Sequence, residues 1–198
     1  MDERIIVPER GKDTVVWRRL LREWIDLINR YSTFDDVPYW YGERALTGLL
    51  GAAAWILEHG WALQEFAEGG DSGLRRGGLW WGVGKAKFTV QAKIDWEARN
   101  AGAAIQRIRQ RLANAEQELQ SLEKNYRWGN PYSVCYVVPW PPVGAIQEGI
   151  AFLDLVTETF ASEECIVAKY SLDSSAPKDG GRVYPGVALI AREGKWQK

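Results

Sequence analysis

Between Leu79 and Tyr126 the spacing of apolar residues changes once, from two to alternating four and three, and that change restricts the fold more than any other feature. Leu79–Val83 and 87–94 both read with period two and meet around Gly84, which predicts a β-hairpin. In the second run Phe88, Val90, Ala92 and Ile94 share one face, and Lys87, Thr89, Gln91 and Lys93 share the other. From about Trp96 to Tyr126 the residues Ala101, Ile105, Ile108, Leu112, Ala115, Leu119, Leu122 and Tyr126 then form a heptad stripe, which predicts one long helix. Such a stripe serves either packing within the chain, with the first helix as a candidate partner, or a homodimer through residues 97–126.

The rest of the chain alternates in the same way. Trp17, Leu21, Trp24, Ile28 and Tyr31 predict a helix from about Asp13 to Tyr31, with Asp13 or Thr14 as its cap. A second helix is expected from about Tyr41 to Glu58, closed by His59 and Gly60. Residues 61–67 read as a strand, 132–138 as another, 143–162 as a helix, and 165–171 and 183–191 as the last strands. The order is helix, helix, three strands, helix, strand, helix, strand, strand. Strands linked directly favour antiparallel pairing and strands linked through helices favour parallel neighbours. The expectation is one α/β (α+β mixed) domain over 1–198, with a central mixed β-sheet flanked by helices.

Composition removes several chemistries. His59 is the only histidine among 198 residues, so a centre built on several histidines is excluded. The two cysteines, Cys135 and Cys165, lie in apolar runs and read as buried thiols. A net charge of −1 is not that of a DNA-coating protein, although a local basic patch is compatible with it. No apolar run has the roughly 20 residues of a membrane helix, and residues 1–10 lack a signal-peptide core. A cytoplasmic protein without membrane association is expected. Tryptophan, with 11 copies, is the unusual count, and a few of these rings are candidates for base stacking.

The succession of a helix, a three-strand meander, a helix and a strand, with Arg76-Gly77-Gly78-Leu79-Trp80 and Val90-Gln91-Ala92-Lys93 in the meander, resembles the restriction-endonuclease-like, or PD-(D/E)XK, nuclease superfamily. The likeness covers about residues 41–139. It implies a restriction-endonuclease-like αβββαβ core over 41–170, an N-terminal helical extension over 1–35 and a C-terminal loop and strand over 171–198. In the family an acid opens the second strand, and an acid and a lysine two apart occupy the third. There, carboxylates hold Mg2+, a hard cation that prefers oxygen ligands and activates water against the phosphodiester.

Here the acid positions hold Gly78 and Gln91. Some members of the superfamily also place Gln before the lysine and remain nucleases, but both acids are lost here. Gln91 and Lys93 share a face about 6 to 7 Å apart, and with Glu43 they form the candidate degenerate catalytic site. Glu43 is in line with Leu46, Leu50, Ala54 and Leu57 on the second helix, facing the sheet. Glu43, Glu65 and Asp71 are the candidate metal ligands. Arg18, Arg19, Arg22, Arg75 and Arg76 are candidate nucleic-acid contacts.

The expected function is that of a nuclease-fold protein that binds nucleic acid or a protein partner without a cofactor. The alternatives are a Mg2+-dependent nuclease using Glu43, Glu65 or Asp71, Gln91 and Lys93, and an interaction module unrelated to nucleases.

Overall fold

Alternating apolar residues that are buried on both sides need two covering layers, and the chain supplies four helices for the purpose. The computed structural model describes residues 2–9, 13–32, 36–64, 67–68, 75–76, 78–97, 101–172 and 175–197. In chain order the elements are β1 (Asp2–Ile6), α1 (Thr14–Ser32), a 3-10 turn (Pro38–Tyr41), α2 (Glu43–Ile56), β2 (Gly60–Gln64), β3 (Ala67–Glu68), β4 (Arg75–Arg76), β5 (Leu79–Val83) and β6 (Ala86–Glu97). There follow α3 (Ala101–Gln120), a 3-10 turn (Lys124–Tyr126), β7 (Asn130–Pro139), α4 (Ile146–Ser162), β8 (Ile166–Ser171), β9 (Lys178–Asp179), β10 (Arg182–Val183) and β11 (Gly186–Glu193).

Seven strands form one mixed sheet in the order β1-β8-β11-β7-β6-β5-β2. Among the described residues only β6 and β7 run parallel, and α3 lies in the connection between them. The α/β expectation therefore holds at the level of a mixed sheet flanked by helices. Period two assigns the faces. Val134, Tyr136 and Val138 of β7 join Trp17, Trp24, Leu46 and Leu50 in one core, under α1 and α2. Cys135 and Val137 point the other way and join Ile105, Ile108, Leu112, Phe152 and Leu153 of α3 and α4. Strands covered on both faces read as apolar runs, as 134–138 of β7 and 187–191 of β11 do. Both cysteines are free and buried.

Several sequence expectations change. The long helix is shorter: Trp96 and Glu97 still belong to β6, and α3 ends at Gln120. Its stripe is buried within the chain, against β6, β7 and α4, while α1 lies on the opposite face of the sheet. The stripe is thus neither a partner for α1 nor an open dimer seam.

The segment 1–35 was expected to be helical, yet it begins with β1, which pairs antiparallel with β8. Lys169, 1% exposed, holds this edge by donating to Asp2 and, at 2.5 Å, to Asp154 of α4. At the end of α2 the left-handed residue is His59 (φ 61°), not Gly60. Gly60 is needed for a different reason, since a Cβ there would collide with the carbonyl oxygen of Ala54.

Asp13 begins α1 with its carbonyl, which accepts from the Trp17 amide at 3.0 Å. Its carboxylate accepts instead from Asn130 Nδ2 (2.6 Å) and the Tyr132 hydroxyl (3.3 Å).

Candidate functional site: the fork between β5 and β6

The site begins where a strand leaves the sheet. β5 pairs with β6 from Val83↔Ala86 to Leu79↔Val90. On its other side, β6 stays paired with β7 as far as Glu97↔Pro139. β3 and β4 form a separate antiparallel pair, with Ala67 opposite Arg76 and Glu68 opposite Arg75. Among the described residues, β6 is therefore paired on one side only from Gln91 to Glu97, which leaves a notch in the sheet beyond the end of β5.

Gly78 stands at the fork. A Cβ built there would lie 2.9 Å from Gln91 Oε1 and 3.2 Å from Gln91 Cα, and would overlap the Val90 carbonyl oxygen. Gly78 and Gln91 are thus neighbours. The close approach also explains the glycine, since any side chain at this position would have to displace backbone.

Alternation then sets out a row of polar groups on the α3 face of β6. The Thr89 hydroxyl donates to the Trp128 carbonyl at 2.6 Å. Gln91 Nε2 donates to Glu118 Oε2 at 2.6 Å. Lys93 Nζ lies 2.6 Å from Glu118 Oε1 and 2.7 Å from Oε2. Asp95 is 2% exposed and receives Arg107 Nε and Nη2, both at 3.3 Å, with Arg111 Nε at 3.9 Å. A carboxylate so buried requires this kind of charged pairing.

Glu43 reaches the same region from the other layer. It occupies the first turn of α2, after Gly42, whose φ of 88° suits glycine. Burial holds its carboxyl above the ordinary carboxylate range; Lys93 pulls it down, Glu118 pushes it up, and Arg111 and Arg44 pull it down again. Gln91 and Lys93 are brought together on Glu118, whereas Glu43 belongs to the helix layer on the other face of the sheet and makes no hydrogen bond or ion pair with them that joins the three.

The other candidates are placed differently. Glu65 and Asp71 lie outside the described residues. Arg75 and Arg76 form β4, which pairs with β3. Arg18, Arg19 and Arg22 are exposed on the outer side of α1, whose inner side packs on α2, β1 and β8. Sequence reasoning missed Glu118, Asp95, Arg107 and Arg111. Asp95 simply continues the alternation of Gln91 and Lys93. Arg107, Arg111 and Glu118 follow at four and seven residues along one side of α3, a charged row beside the apolar stripe.

Chemically, the site offers one amine, one amide and two carboxylates, and the amine already occupies both oxygens of Glu118. Among the described residues no group of three or more His, Cys, Asp or Glu is arranged to hold a metal ion. Among them, too, no helix is long and apolar enough to cross a membrane. No family model, curated protein or solved structure matches the chain.

Proposed function

We propose that this chain is a degenerate relative of the PD-(D/E)XK nucleases that binds nucleic acid at the notch beside Lys93 without cleaving it. The observation that carries the reading is the juxtaposition of Gly78 and Gln91 at the point where β5 leaves β6, with Lys93 one alternation further on. The order α2, β2, β5, β6, α3, β7 supports it. Lys93 supplies a cation beside the notch for a phosphate backbone, the main source of sequence-independent affinity. Cleavage is not expected, because Gly78 and Gln91 bring no charge to a dication. At an effective dielectric near 20, each close unit charge is worth about 4 kcal/mol at 4 Å. A cytoplasmic location fits the reading, since the thiols of Cys135 and Cys165 stay reduced there.

A second reading rests on Glu118, a carboxylate held against Gln91 and Lys93, with Glu43 of α2 as the other candidate acid. Two carboxylates and the Gln91 amide oxygen are a possible oxygen set for Mg2+, provided Lys93 leaves Glu118. Calorimetric titration of the whole chain with Mg2+ and Mn2+, beside oligonucleotide binding in EDTA, separates the two. Binding in EDTA with no metal heat supports the first reading, and a saturable metal heat supports the second.

A further inference from the structure

We propose that Trp128 and Lys87 form a stacking site for the unpaired bases of a single nucleic-acid strand, continuous along β6 with Lys93. The inference rests on the nucleic-acid reading above and names the form of nucleic acid. It starts from a glycine. Gly129 has a φ of 60°, and a Cβ there would collide with the backbone of Lys87 and lie 2.7 Å from its Cβ. Only glycine lets this connection lie flat on β6.

Thr89, fully buried, then fixes the preceding residue twice. Its hydroxyl donates to the Trp128 carbonyl (2.6 Å) and accepts from the Trp128 amide (3.3 Å). The side chain held in this way is 39% exposed. A large indole pinned at its backbone and open to solvent loses little freedom on binding.

The rings beneath it form a stack. Trp80 lies 5.0 Å from Trp128 at 6°, Tyr126 lies 6.1 Å from Trp80 at 26°, and Trp61 meets Trp128 edge-on at 5.9 Å. Trp128 is the most exposed ring of this stack, and the Lys87 ammonium lies over it, 4.9 Å from its centroid. Lys85 and Lys87 of the β5–β6 hairpin and Lys124 of the turn that carries Tyr126 are exposed, as is Glu123. Aromatic faces with an excess of cations are the means by which proteins hold single strands, the bases stacking and the amines taking phosphates. A duplex keeps its base faces stacked on one another, which argues for an unpaired strand. Lys87 and Lys93 lie six residues apart on one face of β6, about 20 Å, so one strand of several nucleotides spans both.

The test is fluorescence anisotropy of the whole chain with a labelled oligothymidylate of about twelve nucleotides, a length that covers such a groove, and with a duplex of equal length. The wild type should bind the single strand more tightly than the duplex. W128A should weaken single-strand binding about tenfold or more and leave duplex binding nearly unchanged. W128F, which keeps a ring on the fold, should retain most of the affinity. K87A should lower the salt slope by about one phosphate contact. If W128A binds the single strand as the wild type does, or if the duplex is preferred, the stacking site is overturned. Loss of binding in K93A but not in W128A overturns the stacking site and leaves the notch reading standing. Absence of binding to either oligonucleotide overturns both.

Discussion

The ammonium of Lys93 on β6 rests on both carboxylate oxygens of Glu118 on α3, at 2.6 and 2.7 Å. A lysine in this position of a metal nuclease would face a dication and a phosphate. Here a helix of the same chain supplies its counterion, and Gln91 completes the contact by donating to the same carboxylate at 2.6 Å. The lysine is neutralised from within the chain, so under the nucleic-acid reading an arriving phosphate would compete with Glu118 for Lys93.

Glu118→Gln should therefore increase nucleic-acid affinity several-fold at low salt and steepen its salt dependence by the value of about one phosphate contact. The pair is partly exposed, so the stability change should stay below about 1 kcal/mol. Titrations at several salt concentrations and a denaturant melt check both. An unchanged affinity would mean that Lys93 does not meet the ligand.

Restoring the acids of the nuclease pattern should not be symmetrical. Gly78→Asp must push against the Val90 carbonyl, and overpacking of this kind costs about 1 to 3 kcal/mol. Gln91→Glu needs no new space, and it places a second carboxylate against Glu118. Calorimetry with Mn2+ should detect binding by Q91E and none by the wild type. Equal heats from the two would contradict this.

How far the sequence revealed this arrangement differs from part to part. Period two in 87–94 assigned both faces of β6 correctly, because one face is apolar and the other is not. Gly78 and Gln91 could be expected as neighbours because a hairpin through Gly84 sets their register. The end of β6 was misjudged at Trp96, since an aromatic residue suits a strand as well as the start of an apolar helical stripe. β1 was not seen because Asp2-Glu3-Arg4 is charged, and only its pairing with β8 makes it a strand. Glu118 was hidden for a related reason. A glutamate next to an apolar stripe reads as solvated, and only the packing of α3 across β6 puts it on Lys93.

Glu43 should make stability fall with rising pH. Its carboxyl is raised by burial, so between its ordinary value of 4.5 and its higher folded value the native state holds more proton than the unfolded chain. Stability then declines with pH through that interval and is flat above it. Glu43→Gln should remove this slope. Denaturant melts of both proteins from pH 4 upward check the sign, and a slope that persists in the variant would assign it to another group.

Leu112 is buried with Cys135, Val137, Phe152 and Phe160 between α3, α4 and the sheet. Leu112→Ala should cost about 2 to 5 kcal/mol. The wild-type melting temperature should not depend on protein concentration if the stripe serves this chain alone. A midpoint that rises with concentration would show a contact between copies.

The most direct measurement incubates a labelled strand with the wild type and with K93A, in Mg2+ and in EDTA, and reads both gel shift and strand length. The expected result is a shift that persists in EDTA, weakens in K93A and leaves the strand intact in Mg2+. Cleavage that requires Mg2+ and disappears in K93A would make the protein a metal-dependent nuclease instead. No shift under any condition would remove nucleic acid as the ligand of the notch.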